Sequence, residues 1–154
     1  MRTHEYTLEI NWTGNRGTGT SGYTEYARDH TIAGIGKEVL PGSADPAFRG
    51  DPSKYNPEEL FLSSLSTCHM LWFLHLCADA GIVVTSYIDR PKGTMIEGGT
   101  EPGRFTSVVL HPEIVITDSS RMEEANALHH AAGKKCFIAN SCNFPVTYEP
   151  YQHG

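Results

Sequence analysis

The chain is short of the features that would place it in several function classes. Basic residues are scarce: 12 Lys plus Arg stand against 18 Asp plus Glu, for a net charge of −6. A surface of that sign repels phosphate backbones and anionic lipid, so no nucleic-acid or membrane partner is expected. No unbroken apolar run approaches the roughly 20 residues of a bilayer crossing. The first residues, Met1 to Tyr6, enter a polar/apolar alternation and lack a signal peptide's apolar stretch. A cytoplasmic protein is the expectation. Internal repeats and low-complexity tracts are missing as well. The 4 cysteines (Cys68, Cys77, Cys136, Cys142) include no CxxC pair, which excludes a zinc ribbon or a thioredoxin motif. The 8 histidines show no HxxxH spacing, so neither a metal site nor a cofactor is expected.

What is present suits one domain over residues 1–154: 39% hydrophobic residues are enough to bury a core at this length. Tyr6, Leu8, Ile10 and Trp12 alternate with polar residues and read as a half-buried strand. Turn residues Asn15–Gly19 predict a hairpin into a strand over Tyr23–Ala27, followed by a short strand at Asp29–Ile32 and a turn near Gly34–Gly36. Pro41–Pro57 reads as one long loop. Asn56 is then an N-cap, Pro57 the first helical residue, Glu59 the capping carboxylate and Gly81 the stop, which predicts a helix of about 36 Å. Its second half, Met70–Cys77, is apolar on every side and predicts a helix buried all round, while Ser63, Ser64, Ser66 and Thr67 argue against a membrane span. Two long strands follow, Val83–Glu97 and Arg104–Thr117, joined by the loop Gly98–Gly103, with Pro112 marking an edge or bulge. Ser120 and Glu123 form a capping-box pattern for a second helix, whose inward residues are Ala125, Leu128, Ala132 and Cys136. Phe144–Glu149 is a last short strand. The fold class is α+β: antiparallel strands around a long central hydrophobic helix.

In a reducing compartment, cysteines are metal ligands, catalytic or redox-active, unless they are simply buried. Cys68 lies mid-helix after small hydroxyl residues that leave room for a substrate and can hydrogen-bond a thiolate. Cys136 follows Lys134 and Lys135, cations that favour an ionised sulfur. Both project from inward helix faces, so packing of the two helices would bring the sulfurs together. Cys77 and Cys142 read as small buried hydrophobes. His69 adjoins Cys68 but points about 100° around the helix, and reads as a packed or interface histidine.

Asn56-Pro57-Glu58-Glu59-Leu60-Phe61, with a cysteine ten positions after Glu58, resembles the signature of the OsmC/Ohr family, the osmotically inducible and organic hydroperoxide resistance proteins. Lys134-Lys135-Cys136-Phe137-Ile138 resembles the segment of that family's second thiol, with Phe137 where the family often has proline. The resemblance covers nearly the whole chain. It implies an intertwined homodimer and a thiol peroxidase acting on organic hydroperoxides. Cys68 would become a sulfenic acid, Cys136 would close a disulfide with it, and an external dithiol would reduce the pair. Dihydrolipoyl proteins are the reductant for some members.

The same resemblance implies that an arginine held by a glutamate activates the first cysteine, since a free thiol is only a few per cent ionised at neutral pH. Glu58 is the motif glutamate. Arg49 is the favoured arginine, with Arg16 as the alternative and Arg28 third. Ten helical positions put Glu58 about 15 Å from Cys68 along the helix axis, so either the helix breaks between them or Glu58 serves Cys68 of another subunit, the second being the favoured reading. The competing class is a redox-inert small-molecule-binding or stress-related protein on the same fold.

Overall fold

Asn56 and Glu59 cap the central helix reciprocally. The Glu59 amide donates to Asn56 Oδ1 at 2.8 Å and the Asn56 amide donates to a Glu59 carboxylate oxygen at 3.1 Å. From there α1 runs over Pro57–Asp79. Gly81 stops it in the left-handed conformation (φ 65°), where a side chain would be strained, and the Ile82 amide closes back on the Cys77 carbonyl. This computed structural model describes residues 1–150. The chain divides into two compact units, Met1–Leu60 and Phe61 onward, so only the first turn of α1 belongs to the first.

In the first unit, β1 (Glu9–Trp12), β2 (His30–Ala33) and β3 (Leu40–Gly42) form an antiparallel sheet in that order. The expected Tyr23–Ala27 strand does not form. The chain between β1 and β2 is a looped excursion, held by Asn15 Oδ1 accepting from the amides of Gly17 and Gly19 and by Trp12 Nε1 donating to the Ala27 carbonyl. The apolar face of the first strand is not half-buried either. Tyr6 is 89% exposed, Leu8 63% and Ile10 61%. Pro41–Pro57 is more ordered than a plain loop, containing β3 and a 3₁₀ turn over Pro46–Phe48. At its end Gly50 packs so tightly under Ala44 that a Cβ would sit 1.6 Å from the Ala44 carbonyl oxygen.

In the second unit, both expected long strands are broken in two. β4 (Val84–Asp89) and β5 (Lys92–Ile96) replace the first, and β6 (Arg104–Leu110) and β7 (Pro112–Ile116) the second. The breaks fall at Arg90-Pro91 and at His111 before Pro112. Proline removes a ladder donor, so the chain steps from one sheet to another there. β4 pairs with β7, while β5, β6 and β8 (Val146–Tyr148) form the other sheet. The β6–β8 pair is parallel, an exception to the antiparallel expectation. Asp89 bridges the breaks: Oδ1 accepts from the His111 amide at 2.7 Å, and Oδ2 accepts from Ser66 Oγ on α1 at 2.5 Å.

α2 spans Met122–Lys135. The Ser120 capping box is not made. Asp118 instead accepts from the Ser120 amide and hydroxyl, capping a 3₁₀ turn over Ser119–Arg121 that leads into the helix. Two apolar clusters fill the unit. Phe73, Cys77, Ile114, Ile116, Ala125 and Ala132 lie in one, and Leu65, Val108 and Leu110 anchor the other.

The expectation of an all-round buried helix is corrected. Leu65, Ser66, His69, Phe73 and Cys77 are buried along one stripe, whereas Leu71 is 63% exposed. The helix also reaches, on length and mean hydropathy (1.4), what a membrane crossing requires, although its sequence had argued otherwise.

Candidate active site

Cys68 and Cys136 come from different secondary structures yet meet. Cys68 projects from the middle of α1. Cys136 caps the C-terminus of α2, where its amide donates to the carbonyls of Ala132 and Gly133 and its sulfur accepts from the Ala139 amide at 3.4 Å. The fold brings them together because α2 lays Ala125, His129 and Ala132 against the buried stripe of α1, which carries its next turn to Cys68. All four cysteines are free thiols. Burial pushes the Cys136 thiol up to about 11, reinforced by its thiol–thiol interaction with Cys68. Desolvation therefore outweighs the lysines beside it, and Cys136 is a protonated partner rather than an ionised one. The Lys135 ammonium sits over the Trp72 ring instead, 5.2 Å from its centroid.

The hydroxyls upstream of Cys68 do not donate to its sulfur. Ser64 Oγ donates to the Phe61 carbonyl at 2.7 Å, Thr67 Oγ1 to the Ser63 carbonyl at 2.8 Å, and Ser66 Oγ to Asp89. Cys68 opens instead onto an apolar groove of about 350 Å³, lined with Leu71, Trp72, His75 and Phe137. Phe137 meets Trp72 edge-on, with ring centroids 5.6 Å apart. The residue that departs from the family pattern thus forms a groove wall, a role that its sequence position alone does not reveal.

Beneath the thiols lies a polar pair that sequence reasoning missed. His69 Nε2 and His129 Nδ1 are 2.9 Å apart, and His129 stacks on Phe73 with centroids 3.9 Å apart. Both imidazoles are buried. Burial, aided by His69, drives His129 down to about 3, and burial lowers His69 despite the opposing pull of Asp89. They are neutral packing groups at physiological pH. Their spacing on each helix, His69 with Leu65 and Phe73, and His129 with Ala125 and Ala132, was the available signal.

The other site residues expected from sequence, Glu58, Arg49 and Arg16, lie in the first unit, whereas Cys68 and Cys136 lie in the second. Glu58 lies in the first turn of α1 and forms no ion pair with Arg49 or Arg16, both exposed in the first unit. Arg49 has a left-handed backbone (φ 65°) after the 3₁₀ turn. Arg28 is occupied locally, donating to the Tyr23 and Tyr26 carbonyls and stacking on both rings. Cys77 is the buried hydrophobe expected, raised to about 11 by desolvation, and Cys142 is a half-buried member of the second cluster. Among the described residues, no three His, Cys, Asp or Glu side chains converge as metal ligands would.

Residues 50–150 match the family described as OsmC-like protein. No curated protein matches the chain. An OsmC-like protein of unknown function from Vibrio cholerae is 30% identical. The match covers 97% of this chain and 100% of that one, with a TM-score of 0.87. An organic hydroperoxide resistance protein OsmC from Legionella pneumophila is 18% identical over 97% of this chain and 100% of that one, with a TM-score of 0.70. For the organic hydroperoxide resistance protein OhrB of Bacillus subtilis the identity is 19%, the coverage 95% and 98%, and the TM-score 0.64. An α+β chain that shares this fold from end to end, and matches the family over its helices and later strands, belongs to the OsmC-like protein family.

Proposed function

We propose that the protein is a cysteine-based peroxidase that reduces organic hydroperoxides to alcohols. The observation that carries this reading is the pairing of Cys68 with Cys136 at the end of an apolar groove. Solved relatives described as organic hydroperoxide resistance proteins support the substrate class. The Cys68 thiolate attacks the terminal peroxide oxygen, the O–O bond breaks, and the alkoxide leaves as the alcohol after taking a proton. The resulting sulfenic acid condenses with the Cys136 thiol, forming the disulfide and releasing water. An external dithiol, such as a lipoyl protein, then reduces the disulfide.

Glu58 is assigned to hold the activating arginine, Arg49 in preference to Arg16. About 15 Å of helix lies between Glu58 and Cys68, so that pair acts on Cys68 of a second subunit in a homodimer. The exposed stripe of α1 and the exposed strand face support such an assembly. The cytoplasm, with its dithiols, suits the cycle.

The test is titration of the reduced protein with a stoichiometric organic hydroperoxide, followed by peptide mapping. A Cys68–Cys136 disulfide and one equivalent of alcohol are expected. Cysteines that stay reduced would instead identify a redox-inert binding protein on this fold. Cys136→Ser should accept one oxidation and stall at the sulfenic or sulfinic level.

A further inference from the structure

Cys136 has an opening of its own. A second pocket, of about 320 Å³, is lined by Cys136 together with Gly133, Lys134, His130, Asn140 and Tyr148. It shares no lining residue with the groove at Cys68. Cys136 itself is 1% exposed, and this pocket lies against it. The volume lies at the lower end of the range for small-molecule sites, about 300–1,000 Å³.

Gly133 adds an independent observation. It lies inside α2, where glycine costs about 1 kcal/mol relative to alanine. Its backbone is not left-handed, and a Cβ built there would meet nothing within 4 Å. Neither conformation nor packing requires glycine at this position. What the missing side chain does is leave the pocket wide beside Cys136.

Disulfide exchange supplies the chemistry. The attacking thiolate, the sulfur attacked and the departing sulfur must lie close to a line. An attack on Cys136 that expels Cys68 therefore needs access to Cys136 from the side away from Cys68. The α2 pocket is lined by Cys136 and not by Cys68, whereas the apolar groove is lined by Cys68 and not by Cys136.

We propose that this pocket is the reductant's entrance: a small, negatively charged dithiol enters past Lys134 and attacks the Cys136 sulfur, while hydroperoxide uses the separate groove at Cys68. The inference rests on the dithiol reading above. The incoming thiolate forms a bond to Cys136 Sγ, the Cys68–Cys136 bond breaks, and its electron pair leaves with Cys68, which later takes a proton. The reductant's second thiolate then attacks its own sulfur in the mixed disulfide. Cys136 is released to take a proton, and the reductant departs as a cyclic disulfide. A thiol held as high as Cys136 makes a poor leaving group, and its expulsion falls in the intramolecular ring closure, where proximity compensates. Lys134 attracts the anionic reductant, and the Asn140 amide, which donates to the Lys134 carbonyl at 3.0 Å, steadies that rim.

The experiment begins by oxidising the full chain with diamide, so that it does not depend on peroxidase activity. A chain that forms no Cys68–Cys136 disulfide with diamide would overturn the dithiol reading and this inference together. With the disulfide formed, reduction is followed with dihydrolipoate, an anionic 1,3-dithiol that closes to a five-membered cyclic disulfide, and with neutral dithiothreitol. Gly133→Leu should slow reduction by both at least about tenfold, while oxidation of its reduced form by an organic hydroperoxide stays at the wild-type rate. Lys134→Gln should slow the carboxylate reagent dihydrolipoate alone, by about threefold. The wild-type disulfide, mixed briefly with mercaptopropionate and quenched in acid, should carry the adduct on Cys136. An adduct first seen on Cys68, or reduction of Gly133→Leu at the wild-type rate, would overturn the proposal, and the adduct mapping decides it if the leucine variant fails to fold.

Discussion

Two stripes of α1 make a controlled comparison. Leu65, His69, Phe73 and Cys77 recur at four-residue spacing, and Cys68, Leu71, Trp72 and His75 recur at helical spacing beside them. Both are largely apolar and each contains a cysteine and a histidine. The first is closed over by Ile114, Ile116 and α2, while the second is left open, with Phe137 and Lys135 reaching across Trp72. Cys77 is therefore sealed among hydrocarbon side chains and Cys68 faces both a groove and a second thiol. Reactivity on this helix follows from what lies across from a residue rather than from its type or its immediate neighbours.

The comparison breaks most sharply at the two cysteines. Cys68→Ser should lower hydroperoxide turnover by roughly a thousandfold or more, because no other nucleophile occupies the groove. Cys77→Ala should leave the rate of hydroperoxide consumption unchanged, and turnover that followed Cys77 instead would reverse the roles of the stripes. On stability the order inverts: Phe73→Ala in the closed stripe should cost about 3–5 kcal/mol in urea denaturation, since stacking on His129 and packing on Tyr87 are both lost.

Acid should act on the closed stripe as well. The unfolded chain holds more protons than the folded one between about pH 3 and 6.5, the folded and unfolded values for His129. Stability from this group is thus complete above pH 6.5 and is lost as pH falls toward 3. Urea midpoints should show a loss of about 3 kcal/mol between pH 7 and pH 4, and His129→Gln should flatten that slope. The smallest effect belongs to the open stripe. Phe137→Ala should change stability by less than about 1 kcal/mol, yet raise KM for a bulky hydroperoxide and leave that for hydrogen peroxide unchanged. A stability loss above about 2 kcal/mol would mean that the ring is covered in solution.

Much of α1 was legible because its signals are local. Asn56, Pro57, Glu59 and Gly81 act within one turn of the residues they cap. The strands were legible in composition but not in extent: alternation continues through Arg90-Pro91 and His111-Pro112, while the chain changes sheets there. The Asn15–Gly19 turn was read as a hairpin because turn residues report a reversal, not which strand accepts the returning chain. In the site, the cysteine pair could be named from the family pattern, but the hydroxyls' commitment to carbonyls and Asp89 could not. That choice depends on acceptors placed by the helix and by β4. The histidine pair was hidden for a related reason, since its partners are separated by 60 positions.

By itself the sequence determined where α1 begins and ends, which residues could supply sulfur chemistry, and the chain's excess of negative charge. Each is set by a residue's own chemistry or by neighbours within a turn or two. The tertiary structure alone decided which cysteine is sealed and which is open, that Cys136 keeps its proton beside two lysines, and that Cys68 and Cys136 line different pockets. Burial, desolvation and access depend on distant segments meeting, and only the folded chain brings them into contact.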